Sequence, residues 1–309
     1  GSPEAEAVSE TVAVAPSLWR QFRRSKRAIF GAVVALAFIL GALFAPWVAP
    51  HDPFELGSFN LMDSELPPAF MAGGDPRFLL GTDSQGRDVL SAILYGMRVS
   101  LTVGFAAVAL SAAFGTLVGL VAGFRGGWLD VLLMRVADVI LSFPTILIAL
   151  LVSGIARGFI PMEVRADAAL WVLIFAIAIN EWVQYARTVR GQTMVESDLD
   201  YVKAARITGV RAGRILARHI LPNVFGPVLV IATINLALAI LAEATLSFLG
   251  VGMPPTQPSL GTLIRIGNEN LFSGIWWVVV FPAAALVLLV LSVNLVGDWL
   301  RDALNPRLD

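Results

Sequence analysis

The 309-residue chain is 57% hydrophobic with a mean hydropathy of +0.77, and its 22 Lys and Arg against 23 Asp and Glu leave a net charge of −1. Near-neutral charge gives no footing for nucleic-acid binding, the absence of cysteine rules out disulfides and thiolate metal sites, and two separated histidines, His51 and His219, make no metal cluster. With only 15% charged residues and apolar runs along its whole length, the composition is that of an all-α polytopic membrane protein.

The chain opens Gly-Ser without Met, so residues 1 and 2 read as a cloning scar. Residues 3–16, rich in Ala, Glu, Val and Ser, read as a flexible lead-in. Residues 1–27 thus form a cytoplasmic segment ending in a basic patch, Arg20, Arg23, Arg24, Lys26 and Arg27. A spanning helix needs about 20 apolar residues, because the hydrocarbon core is roughly 30 Å thick and each residue rises about 1.5 Å. Residues 28–50 supply the first span. The external loop 51–100 is acidic and rich in Pro and Gly; a short helix is expected over 85–96, with Asp88 in its first turn where the helix dipole favours a carboxylate.

Residues 101–298 make a five-helix core. Its spans are expected over 101–124, 139–156, 168–180, 221–242 and 275–297, the third of these bounded by Asp167 and Glu181. A cytoplasmic loop, 190–222, lies inside this core. Residues 250–274, with Pro254, Pro255 and Pro258, should cap the outer mouth, and 299–309 form a cytoplasmic tail. With six spans and both ends inside, sixteen of the 22 Lys and Arg residues fall on the cytoplasmic side, as the positive-inside rule requires.

No phosphate-binding loop, nucleophile elbow or zinc-protease helix occurs, so the chain reads as a non-enzyme that holds no cofactor. Charges inside a membrane default to function. Here they cluster at helix ends: Asp138, Glu181, Glu243 and Asp298. These carboxylates read either as tertiary ion pairs or as part of an ion-gradient-driven carrier. Asn180, Gln184, Asn235 and Glu243 are the polar residues placed to face a translocation pathway, or else to bond between helices.

The segment DYVKAARITGVRAGRILARHILPN at 200–223 looks like two short helices with a sharp turn at Gly209, a left-handed stop. Ala204 and Ala205 would let another backbone approach, with Tyr201 as an apolar anchor and Lys203, Arg206 and Arg214 around it. Pro222 suits the first turn of the following helix. A helix laid into a partner's groove is one reading; attraction of these basic residues to anionic membrane lipids is the other.

This segment resembles the cytoplasmic EAA loop of ABC importer permeases. The pattern falls on Lys203, Ala204, Ala205, Gly209, His219, Leu221 and Pro222, with Lys203 where the family carries an acid. Further motifs are similar to dipeptide and oligopeptide permeases of the C type: GTDSQGRDVLS at 81–91, YGMRVSL at 95–101, YARTVRG at 185–191, LSFLG at 246–250 and NLVGDWLRDALNPR at 294–307. Leu260 stands where the family usually has Trp.

The resemblance implies a type I ABC importer permease fold in a bacterial inner membrane. It implies a second homologous permease, two cytoplasmic ATPases that hold ATP and Mg, and an extracytoplasmic peptide-binding protein. It makes Tyr201, Lys203, Ala204, Ala205, Arg206, Gly209, Arg214, Leu221 and Pro222 the ATPase-docking surface. Asp83, Arg87 and Asp88 become either contacts for the binding protein or an internal cap. The cargo would be di- or oligopeptides, or, in the same transporter class, nickel, glutathione or another peptide-like solute.

Overall fold

A computed structural model describes residues 18–54 and 60–304. The lead-in 3–16 and the end of the last motif, Asn305 to Arg307, lie outside the described residues. Helix α1 (Leu18–Arg24) breaks at Ser25, whose hydroxyl accepts from Ala28 N at 3.2 Å and so caps α2 (Lys26–Leu43). A short α3 (Ala45–Val48) follows, with proline in its first turn. Helix α1 is tied to the far end of the chain by an edge-on contact between Phe22 and Trp299 at 4.9 Å.

Helix α4 (Val89–Arg125) is 37 residues long, about 55 Å at the usual rise. The short helix expected over 85–96 and the span expected over 101–124 are therefore one element. Asp88 is its N-cap rather than a first-turn residue, and accepts from Ser91 N at 3.0 Å.

The third expected span needs correction. Residues 139–156 straddle a break between α5 (Gly127–Leu141) and α6 (Thr145–Phe159), whose axes meet at 91°. Pro144 is the cause: the residue before a proline is pushed out of the helical region, and Pro144 itself sits extended at the start of α6. No charge marks the bend, so hydropathy runs straight through it.

Helix α7 (Arg165–Ser197) contains the segment 168–180 and continues well beyond it. Helix α8 (Asp200–Ile207) ends as expected at Gly209, whose φ is +78°. The second helical piece begins as α9 (Ala212–Ile215). It then passes without a stop through a π-turn, Leu216–Ile220, into α10 (Leu221–Phe248). Pro222 lies in the first turn of α10 as expected, but as part of a continuous helical run. Helices α11 (Leu260–Glu269) and α12 (Trp277–Leu304) complete the described chain.

Among the described residues, four helical runs are long and apolar enough to cross a membrane: α2, α4, residues 212–248 and α12. The bent α5–α6 pair makes five if it counts as one span. Helix α7 has its buried residues running from Leu173 to Thr193, and it packs against α4, α6 and α10.

The α4–α7 contact is the most extensive in the bundle. Gly115, Gly119 and Gly123 form a stripe at four-residue spacing along one face of α4. A side chain on Gly119 would stand 2.6 Å from the Ala186 carbonyl, and one on Gly123 would stand 2.7 Å from the Arg190 carbonyl. Small residues that let backbones touch are how helices associate in lipid, where burial of apolar surface supplies no drive.

Because α4 runs the full height, it defines two ends. At one end lie the 60–88 loop, α11 and the start of α12. At the other lie α8, α9 and the π-turn.

Candidate coupling site and translocation residues

Helix α8 is fixed from beneath. Val202 is fully buried in a cluster with Leu120 of α4, Val189 of α7, and Ile215, Ile220 and Val224 of the run into α10. Ala205 and Leu221 pack against the same cluster. The Arg206 guanidinium sits over the Phe124 ring at 4.5 Å from its centroid, joining α8 to the end of α4. Tyr201 donates to Glu196 Oε2 at 2.5 Å, while Asn223 Nδ2 donates to Glu196 at 2.9 Å and to the Tyr201 oxygen at 3.2 Å. That three-way bond ties the end of α7, the start of α8 and the start of α10 together. The Glu196 carboxylate raises the pKa of the Tyr201 phenol by favouring its neutral, donating form.

The other face of α8 is open. Lys203, Ala204, Arg206 and Gly209 are exposed, as are Arg214 and Pro222, and the Ile207 side chain is 86% exposed. Lys203 forms no ion pair among the described residues. An isolated apolar tip beside a small-residue face and a rim of cations is what a groove-binding helix presents. Beside it, a cleft of about 650 Å³ between α4 and α8–α9 is lined by Phe124, Arg125, Arg206, Val210 and Ile215, among others.

Two ion pairs extend the connection. Arg190 binds Asp130, and Arg187 binds Asp138, so α7 also holds α5. Within the 185–191 motif, Tyr185, Ala186 and Val189 are wholly buried against the α4 glycines, while the two arginines reach across to α5. The sequence marks this motif as a signature, but not as the joint between three helices.

The four pathway residues are not brought together. Glu243 is fully buried near the opposite end, accepting from Ser100 at 2.8 Å and from Ser247 at 2.6 Å. Ser100 also accepts from Leu260 N at 3.2 Å, so this carboxylate ties α4, α10 and the start of α11. Leu260 is wholly buried. Asn180 accepts from the Thr145 hydroxyl at 2.9 Å. Asn235 is buried, with its side-chain amide beside the Tyr185 hydroxyl. Gln184 alone reaches the surface.

The 81–88 stretch closes on itself. Asp83 accepts from Gln85 N, from Arg87 N and from Arg87 Nε at 2.7–2.9 Å. Asp88 caps α4, Gly81 adopts a φ of +81°, and Trp277 Nε1 donates to the Thr82 carbonyl at 3.0 Å. Asp83, Arg87 and Asp88 are all buried, whereas Ser84 and Gln85 are exposed.

The long apolar helices and the lack of strands among the described residues together define a multi-pass membrane component. The chain belongs to the family described as the binding-protein-dependent transport system inner membrane component, whose model matches residues 115–309. Residues 17–68 match the N-terminal transmembrane domain of oligopeptide transport permease C. It is 39% identical to the dipeptide transport system permease protein DppC of Haemophilus influenzae, over 94% of both chains. It is 39% identical to the di/tripeptide transport system permease protein DppC of Pseudomonas aeruginosa, over 94% of this chain and 91% of that one. Against the dipeptide transport system permease protein DppC of Escherichia coli K12 it is 40% identical, over 99% of this chain and 98% of that one. The protein is thus an inner-membrane permease subunit.

Proposed function

We propose that this chain is one of two homologous permease subunits in an ATP-driven importer of di- and oligopeptides. Two cytoplasmic ATPases supply ATP and Mg, and an extracytoplasmic peptide-binding protein delivers the cargo. The chain crosses the membrane six times with both ends inside. Its segments are a cytoplasmic 1–27, a first span at 28–50, an external 51–100, a core at 101–298 and a cytoplasmic tail at 299–309. Helix α7 and the bent α5–α6 pair count as spans in this reading.

The single observation that carries the proposal is the two-faced α8. Its outer side, with Lys203, Ala204, Ile207 and Gly209, is free to enter an ATPase groove. Its inner side is held to α4, α7 and α10. Closure of the ATPase pair pulls α8, and the three attached helices tilt as a body, which is a rigid-body form of alternating access.

The test is uptake of a labelled dipeptide into proteoliposomes holding the assembled transporter with its binding protein. Uptake should require ATP inside the cytoplasmic compartment and should be abolished by Gly209→Leu. A β-carbon there meets no neighbouring atom within 4 Å, so the substitution acts by straining the left-handed turn that ends α8. Dipeptide uptake by this chain alone, driven by an ion gradient, would overturn the reading. So would full ATP-dependent uptake by the Gly209→Leu transporter.

A further inference from the structure

At the same end of the bundle as the 60–88 loop, a cavity of about 330 Å³ opens between the end of α6, the start of α7, the 250–255 loop and α11. Three arginines from three separate segments line it: Arg157, Arg165 and Arg265. No carboxylate is among the residues that line it. Glu269 lies 3.7 Å from Arg265, but it is largely in solvent and too distant for a hydrogen bond. Like charges in one cavity repel, and no carboxylate among the described residues that line it offsets them.

Two of the guanidiniums are nevertheless held in place. Arg165 Nη2 donates to the carbonyls of Arg157 at 2.7 Å and Ile160 at 3.2 Å, and Arg157 Nη2 donates to the Gly250 carbonyl at 3.0 Å. The Nε groups of Arg165 and Arg265 are buried without a hydrogen-bond partner among the described residues. Leaving such buried donors unmet is costly. An anion with two oxygens would offset the repulsion, because the guanidinium fork matches a carboxylate in a bidentate pair. The rest of the wall is apolar, with Val172, Val251, Met253 and Pro254, and the volume is at the low end for small-molecule sites. A lone acidic side chain would leave that wall unfilled.

We propose that this pocket is a carboxylate subsite that takes the C-terminal carboxylate of a short peptide, with the terminal side chain against the apolar wall. The proposal rests on the peptide-import reading above and adds a receiving site on the permease itself.

The test uses the full chain purified in detergent micelles, without the binding protein, and titrates the dipeptide Ala-Leu and its C-terminal amide. The free acid should bind roughly tenfold more tightly than the amide, and Arg265→Gln should erase that gap. Arg265→Lys should restore part of it, and acetate should compete with the free acid. If the Arg265→Gln chain unfolds at a lower temperature, Arg157→Gln gives the same reading from another segment. Equal binding of acid and amide, or a gap that survives both glutamine variants, overturns the proposal. Inorganic phosphate displacing the dipeptide more strongly than acetate overturns it in favour of a lipid headgroup. Loss of binding-protein capture in Arg265→Gln, with no dipeptide binding by the unaltered chain, overturns it in favour of a protein contact. Failure of dipeptide uptake in proteoliposomes with the acid–amide gap intact would instead count against the import reading and leave the subsite standing.

Discussion

In the proposed six-span orientation the 81–88 loop is outer and the 200–222 loop inner; both are dense in signature residues, yet they use their charges in opposite ways. In the outer loop, Asp83, Arg87 and Asp88 are buried and bonded to the loop itself. In the inner loop, Lys203, Arg211 and Arg214 stand in solvent, and the helix is fixed mainly by the buried Val202 beneath it. A motif rich in charge therefore marks either a structure that must be rigid or a surface kept free for a partner. Burial, rather than residue type, decides between them.

That contrast breaks if outer-loop substitutions spare the fold or inner-loop ones destroy it. The largest effect is expected at Asp83→Ala, which strands the Arg87 guanidinium in a buried site and should cost about 3–5 kcal/mol. A fall in the apparent unfolding midpoint in micelles, with poor recovery of intact protein, is the readout. Next is Gly119→Ala, where the added methyl meets the Ala186 carbonyl at 2.6 Å; overpacking there should cost about 1–3 kcal/mol, read by the same melt. Arg206→Ala removes the guanidinium from the Phe124 face and should lower stability by only about 0.5–1 kcal/mol. Its larger signature should be reduced ATP-dependent uptake by a transporter that still assembles. Lys203→Glu, which installs the acid usual in the family, should change stability by less than about 0.5 kcal/mol. Its effect should be confined to pull-down with the ATPase subunits.

The sequence made most of the apolar helices, the short helix at 200–207 and the stop at Gly209 readable, because each depends on short-range chemistry: hydropathy over one segment, or a left-handed residue after a helix. It hid features that depend on distant partners. The bend at Pro144 lies in an uncharged stretch, so the proline was the one available sign. The four-residue glycine spacing on α4 is visible in the chain, but nothing local says that α7 will meet it. The continuity of α4 from Val89 to Arg125 was masked by Arg98, a charge near the point where loop gives way to span. The Arg157, Arg165 and Arg265 pocket draws on three segments that come together only in the fold.

The glycine stripe on α4 has a mechanical meaning. Where backbone rests on backbone, no side chain lies between to change rotamer and absorb a displacement. Helix α7, 33 residues and roughly 50 Å long, and α4 therefore behave as one laminated strut. One end of that strut carries the seat of α8, and the other carries the start of α7 at the arginine pocket. On the coupling proposed above, a shove at the first end would reach the second as the same shove, and the three missing β-carbons would set how stiffly the two ends of the bundle are geared together.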